Sequence, residues 1–293
     1  MNKQSIFCPA KINLHLEVLD KRADGYHDID TVMQSVTLCD KVSVSLEKVE
    51  NGGRITVSCD NDAVPQGENS HKNIVYKAAL LYLEQAKLDP DKYDIAIDIE
   101  KQIPVCAGLA GGSTDAAGVL ILLDIMLEVY MGRDVIASFA SKIGADVPFC
   151  VLGGAYRCTG IGDVMERVNS LSTELFVCIA KGRSEKQSTA HAYTLMDSRE
   201  SERRTADILV DALEREDLVE IGANLYNAFH LVNDNDGVNN AISQMRRCGA
   251  LGAALSGSGP SVFGIFYSID DADNAMHSLI SMGYEAFVAS PLR

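Results

Sequence analysis

The chain has 293 residues, 47% hydrophobic and 23% charged, with a net charge of −15 and a pI near 4.8. That length suits two domains, and the composition suits a packed globular protein without long disordered stretches. So acidic a surface repels polyphosphate backbones, which excludes general nucleic-acid binding but not a small anionic substrate met by a few converging Lys and Arg.

Eight cysteines, at positions 8, 39, 59, 106, 150, 158, 178 and 248, lack the short pair spacing of a zinc ribbon or a redox dithiol. Most sit in apolar runs, so buried reduced thiols in a reducing compartment are expected. The opening MNKQSIFCPAKINL has no uninterrupted apolar core. The longest apolar stretch, 116–126, is broken by Asp124 and too short to cross a bilayer. A cytoplasmic protein with no membrane partner is therefore expected.

Alternating apolar and polar residues predict a half-buried strand over 38–49 and another over 54–59, parted by the turn signal Asn51-Gly52-Gly53. Ile74, Ala78 and Leu81 give helical spacing over 73–87, and alternation returns over 93–99. A long apolar helix is predicted over 114–130 and a shorter one over 133–143. Residues 175–180 read as a buried strand, and helices follow over 206–214, 218–229 and 238–248. Strands over 253–256 and 261–266 flank a glycine turn, before a helix over 271–282 and a last strand over 286–289. The charged run 197–204 reads as a solvated loop or helix end. Glycines at 153, 154, 160 and 162 suggest a boundary near 156–164, giving domains 1–157 and 158–293. No internal repeat is visible, and the class is α+β with mixed strands and helices.

The strongest chemical signal is IPVCAGLAGGSTDAAGVLILL, residues 103–123. A strand ends before it, a loop carries Gly108, Gly111 and Gly112, and a helix is expected to begin at Ser113 or Thr114. Such a loop brings backbone N–H groups and the positive end of a helix close to an anion, and glycine keeps the approach open. No lysine follows the glycines, so this is not a Walker loop, nor is it the G-x-G-x-x-G of a dinucleotide fold. The competing reading is that the glycines only permit tight packing and that Ser113 or Thr114 caps the helix. A second cluster, ALSGSGPSVFGIF at 254–266, lies between two strands and alone reads as a hairpin turn.

Three segments together, PAKINLHL (9–16), PVCAGLAGGSTDAA (104–117) and LSGSGPSVF (255–263), resemble in order the three motifs of the GHMP superfamily of galactokinase, homoserine, mevalonate and phosphomevalonate kinases. The resemblance spans almost the whole chain. It implies a two-domain α+β fold with the active site in the cleft between domains. RADGYHDIDTVMQSV (22–36), GADVPFCVLGG (144–154) and STAHAY (188–193) narrow it to the branch that phosphorylates 4-diphosphocytidyl-2-C-methyl-D-erythritol on its 2-hydroxyl, on the non-mevalonate route to isoprenoid precursors.

By that resemblance Lys11 and Asp146 are the catalytic pair, Asp146 taking the hydroxyl proton and Lys11 steadying both the carboxylate and the transferring phosphoryl. One carboxylate with one ammonium suffices for a reaction that needs mostly positioning and charge neutralisation. Asn13 is expected to orient the substrate, and Tyr26, His27 and Tyr193 to enclose the cytosine, two aromatic faces sandwiching it while His27 reads its edge. Asn73 and Lys101 match positions near the adenine. The ATP phosphates would lie on Pro104, Val105, Cys106, Ala107, Gly108, Leu109, Ala110, Gly111, Gly112, Ser113 and Thr114.

Thr114 stands where the family usually has Ser, keeping a hydroxyl, and 181–187 lacks the family's usual proline. Arg183 and Lys186 in that loop read either as attraction for a diphosphate or as solvated surface. No carboxylate matches the magnesium-binding Glu of mevalonate kinases, so Mg2+ is expected to come with ATP, held by phosphates, a Ser or Thr hydroxyl and water. A monomer or weak homodimer is expected. Two alternatives stay open: a GHMP kinase for another small alcohol of homoserine or mevalonate type, and a catalytically silent ligand sensor of the same fold.

Overall fold

The computed structural model describes residues 2–182, 189–198 and 202–293. In chain order, the long strands β1 (Asn2–Lys21) and β2 (His27–Lys48) precede β3 (Ile55–Cys59), α1 (Ile74–Gln85), β4 (Tyr93–Glu100) and α2 (Gly111–Met126). Then come α3 (Arg133–Ala140), α4 (Val147–Leu152), β5 (Ala155–Thr159), β6 (Val164–Arg167), β7 (Phe176–Lys181) and α5 (Thr189–Asp197). After α6 (Asp207–Glu214) and α7 (Leu218–Ala223) follow β8 (Tyr226–Asn227), α8 (Asp236–Arg247), β9 (Gly252–Leu255) and β10 (Ser261–Phe266). The chain ends with α9 (Ile269–Ser281) and β11 (Glu285–Ala289). The class is α+β, as the sequence predicts. None of the described helices is long and apolar enough to cross a membrane.

The differences from expectation have physical causes. Residues 10–18 of β1 and 29–36 of β2 are buried without a break. In β1 the sequence keeps strict alternation, with Ile12, Leu14, Leu16 and Val18 between Lys11, Asn13, His15 and Glu17, and the polar face is buried as well; the buried stretch of β2 carries no such period, as in strands covered on both faces. The helix expected over 218–229 stops at Ala223, because Tyr226 and Asn227 pair in parallel with His15 and Leu16. Tertiary pairing there outweighs helical spacing. Four cysteines are buried free thiols, three are half-buried, and Cys106 is exposed. The turn between β5 and β6 uses Gly160 and Gly162, both at positive φ.

Two compact units divide the chain. The first comprises Met1–Ala10, Cys39–Val105 and Ala110–Leu152; the second comprises Lys11–Leu38, Cys106–Leu109 and Gly153–Arg293. β1 and β2 therefore each contribute to both.

In the first unit β4 pairs antiparallel with β2 and parallel with β3, so Val44, Ile97 and Val57 lie in one row across the sheet. α1 buries Val75, Ala78, Ala79, Tyr82 and Leu83, one helical face, against α2. α2 is apolar nearly all round because it is enclosed. Near its end Asp124, the second of its two acids, accepts a hydrogen bond from Tyr82 Oη at 2.8 Å and another from Met131 N at 2.9 Å. Gly118 lets α2 touch β1, since a Cβ there would sit 2.4 Å from Cys8 Sγ.

In the second unit β11, β7, β10 and β9 form an antiparallel sheet in that order. α8 and α9 pack on it. Their shared core includes Cys178, Leu255, Val262, Phe266, Met245 and Leu279. β5 pairs antiparallel with residues 31–34 of β2. The C-terminal residues tie back to the same strand, with Leu292 N donating to Ser35 O and Thr37 N to Ser290 O, both at 2.9 Å.

Candidate active site

The glycine-rich segment supplies its own helix start. α2 begins at Gly111, ahead of the expected Ser113 or Thr114, and neither hydroxyl caps it. Ala110 is the cap residue, held left-handed at φ 60°, and Thr114 N donates to Ala110 O at 2.9 Å. Cys106 also has positive φ. Ser113 is half-buried at the helix start and Thr114 fully buried.

Beneath that start lies a buried ion cluster. Lys101 Nζ donates to Asp40 Oδ2 and, at 2.9 Å, to Asp115 Oδ2, with only 5% of the Lys101 side chain exposed. Asp40 Oδ1 receives Gln102 N at 2.7 Å and Ile103 N at 2.8 Å, which fixes the chain entering the loop. A Cβ on Gly111 would come within 3.1 Å of Lys101 Nζ, so glycine allows the helix to sit directly on the cluster. Burial pushes the Asp115 carboxyl well above its ordinary range, Lys101 pulls it back, and Asp40 adds to the rise. Asp115 Oδ1 is buried without a hydrogen-bond partner. The structure thus commits Lys101 to two carboxylates. Asn73 caps α1, its Oδ1 accepting from Val75 N at 3.0 Å and its Nδ2 donating to Pro65 O at 2.8 Å. Asp146 is half-buried just before α4, and its carbonyl accepts from Cys150 N at 3.1 Å.

Within the second unit, residues 106–109 meet the other glycine cluster. Gly108 has φ 79°, and a Cβ there would lie 2.3 Å from Ser256 O. Ser256 Oγ donates to Gly108 O at 3.0 Å, and Ser261 N to Ala107 O at 3.2 Å. The β9–β10 turn, a plain hairpin by its sequence, is thus a close partner of the loop. Asn227, which no local motif singles out, holds that turn by donating to Leu255 O and Gly257 O, each at 2.8 Å. Lys11 is buried, its backbone N–H bound to Leu109 O and its ammonium donating to Asn13 Oδ1 at 2.7 Å. Asn13 engages protein at both ends of its carboxamide, beside the Lys11 ammonium.

His27 and Tyr193 come together as stacked rings, 4.9 Å between centroids and 21° apart in plane. Phe229 meets Tyr193 at 88°, while Tyr26 is 64% exposed. Behind the stack stands Asp197, with Oδ1 2.6 Å from His27 Nε2 and Oδ2 bound by Lys21 Nζ. Hydrogen bonds from Lys21 and His27 hold its carboxyl below the usual range. The charged run starts at the end of α5 and is exposed where described, as the sequence predicts, and within it Asp197 and Arg203, the latter with Asp20, form surface ion pairs. No local pattern could reveal a partner 170 residues away. Arg183, Lys186 and Ser188 lie outside the described residues.

Comparison with known proteins decides the family. The N-terminal domain of GHMP kinases matches residues 73–154, and their C-terminal domain matches 209–285. A 4-diphosphocytidyl-2-C-methyl-D-erythritol kinase of Caldicellulosiruptor bescii is 40% identical over 260 residues, 88% of this chain and 87% of that protein. One from Acetivibrio thermocellus is 37% identical over 295 residues, covering both chains fully. The chain belongs to the GHMP kinases, in the 4-diphosphocytidyl-2-C-methyl-D-erythritol kinase family. A crystal structure of 4-(cytidine 5'-diphospho)-2C-methyl-D-erythritol kinase superposes with a TM-score of 0.75 at 27% identity, covering 98% of this chain and 99% of that one. As in any GHMP kinase, the chemistry is that of a small-molecule kinase. Neither the Walker lysine nor, among the described residues, a cluster of three acidic, His or Cys side chains able to hold a metal belongs to this site.

Proposed function

We propose that this chain transfers the terminal phosphoryl group of ATP to the 2-hydroxyl of 4-diphosphocytidyl-2-C-methyl-D-erythritol in the cytoplasm. Kinship with the relatives that bear this name supports the reading, and one geometric observation carries the choice of substrate: the His27–Tyr193 stack backed by Asp197. With Nε2 engaged by Asp197, Nδ1 is the ring nitrogen of His27 left to meet the edge of cytosine. Tyr193 and the exposed Tyr26 offer aromatic surface to the base. Homoserine and mevalonate have no group that would use this set.

In this reading Asp146 accepts the hydroxyl proton, and the Lys11 ammonium offsets charge on the transferring phosphoryl. The residues from Pro104 to Thr114 hold the ATP phosphates through backbone N–H groups and the start of α2. Asn73 and Lys101 border the nucleotide and act by fixing the starts of α1 and α2. Mg2+ fits as a cation carried by the nucleotide, with the Ser113 or Thr114 hydroxyl its protein ligand; when bound it would neutralise phosphate charge. The protein acts as a monomer or weak homodimer.

The deciding measurement is ADP release against four alcohols: the cytidyl diphosphate substrate, mevalonate, homoserine and galactose. Turnover with the first alone is expected. Turnover only with one of the other three would overturn the reading, and none with any would point to a ligand sensor. Tyr193→Ala should raise KM for the cytidyl substrate about tenfold or more, since stacking a base on an aromatic ring contributes roughly 1–3 kcal/mol. Its kcat should change little; an unchanged KM would assign the stacking to another residue.

A further inference from the structure

Lys11 reaches its position through a chain of hydrogen bonds whose donors and acceptors can be assigned one by one. The Thr31 hydroxyl has a single proton. It donates that proton to His15 O at 2.6 Å, because a carbonyl only accepts. Toward Asn13 Nδ2, 2.8 Å away, Thr31 Oγ1 therefore acts as acceptor, so the amino end of the carboxamide faces Thr31. The oxygen end is turned the other way. There it accepts from Lys11 Nζ at 2.7 Å and from Gly257 N at 2.9 Å, two groups that can only donate. A flipped carboxamide would place N–H against an ammonium and against a backbone N–H while leaving the Thr31 oxygen unsatisfied.

Asn13 is 1% exposed and Thr31 fully buried, so the protein rather than bulk water settles this orientation. Gly257 lies in the β9–β10 turn that packs on Gly108. One amide oxygen thus links the ammonium at the reaction centre to the turn against the phosphate loop. We propose that Thr31 is a positioning residue: its hydroxyl locks the Asn13 carboxamide, and through it the Lys11 ammonium and the Gly257 amide. The inference rests on the role given above to Lys11, and it extends the site to a residue to which the sequence resemblance assigned no role.

The test compares Thr31→Val, which keeps shape and removes the hydroxyl, with Thr31→Ser, which keeps the hydroxyl. Misplacement of a charged group by about 1 Å can cost on the order of 100-fold in rate. Thr31→Val is therefore expected to lower kcat about 10- to 100-fold with KM for ATP and substrate within about twofold, and Thr31→Ser to stay within about threefold of the native kcat. Native kcat in the Val variant, an equal loss in both variants, or a loss confined to KM would overturn the proposal. A second reading does not depend on substrate identity: the NMR correlation of the Lys11 ammonium in the ATP-free protein. It should move in Thr31→Val and hold in Thr31→Ser, and an unmoved signal in the Val variant would overturn the lock. If the native chain turned over no cytidyl substrate, the functional reading would fail while this signal still judged the lock.

Discussion

Asp146→Asn is expected to lower kcat by about 10²- to 10⁴-fold, the range spanned by a general base in the transition state. The substitution keeps the size and polarity of the side chain and removes its capacity to take up a proton. Phosphoryl transfer passes through a loose transition state in which little covalent work falls to the protein. The proton of the 2-hydroxyl must nevertheless leave, and Asp146 is the carboxylate proposed to receive it. The residue is half-buried at the end of a loop, and its backbone carbonyl supports the first turn of α4, so the amide can adopt the same place without refolding the segment. ATP affinity measured by calorimetry should therefore stay within about twofold, and the loss should appear in single-turnover rates. Near-native turnover would remove Asp146 from the mechanism.

Lys101→Met should destabilise the folded chain by about 3–5 kcal/mol, the usual cost of removing one partner from a buried ion cluster. Methionine replaces the aliphatic stem well, so the loss is electrostatic. Asp40 and Asp115 would then face one another with no cation between them. The direction of the pH dependence follows from Asp115. Its folded-state carboxyl is already raised, by burial first, and without Lys101 it rises further. A carboxyl raised in the folded state contributes stability below its unfolded value of about 4, and that contribution is lost as pH rises through the folded value. The deficit should be largest above neutrality and shrink at about pH 5, as urea unfolding at both pH values will show. Equal deficits at both would mean that the carboxylates do not govern it.

These two residues also show what a sequence can and cannot reveal. α1, β4 and β10 announce themselves through periodicity, and the phosphate segment through its glycines, because those signals are local. Asn73 before an apolar helical face is legible as a cap by the same logic. The partners of Lys101 are not. Asp40 is 61 positions away and looks like any strand-end acid. Ala110 is a stranger case. Nothing in its chemistry favours a left-handed cap, and the fold imposes that conformation on it. Residues 10–18 of β1 alternate strictly, yet nothing local tells that Lys11, Asn13, His15 and Glu17 are buried too, and the buried stretch of β2 has no regular period at all.

The way β1 and β2 divide between the units bears on how the protein is made. Ala10 and Lys11 are neighbours in sequence, yet they belong to different units, as do Leu38 and Cys39. No single cut yields either unit as a continuous fragment. Ser35 and Thr37, early in the chain, find hydrogen-bond partners at Leu292 and Ser290, more than 250 positions downstream. During translation that stretch of β2 must wait until Ser290 and Leu292 have emerged, whereas the pairing of β2 with β4 can close once about a third of these residues are made. Ribosome-bound chains truncated just short of Ser290 should therefore protect β4 while leaving the Thr37 amide, which donates to Ser290 O, open to exchange.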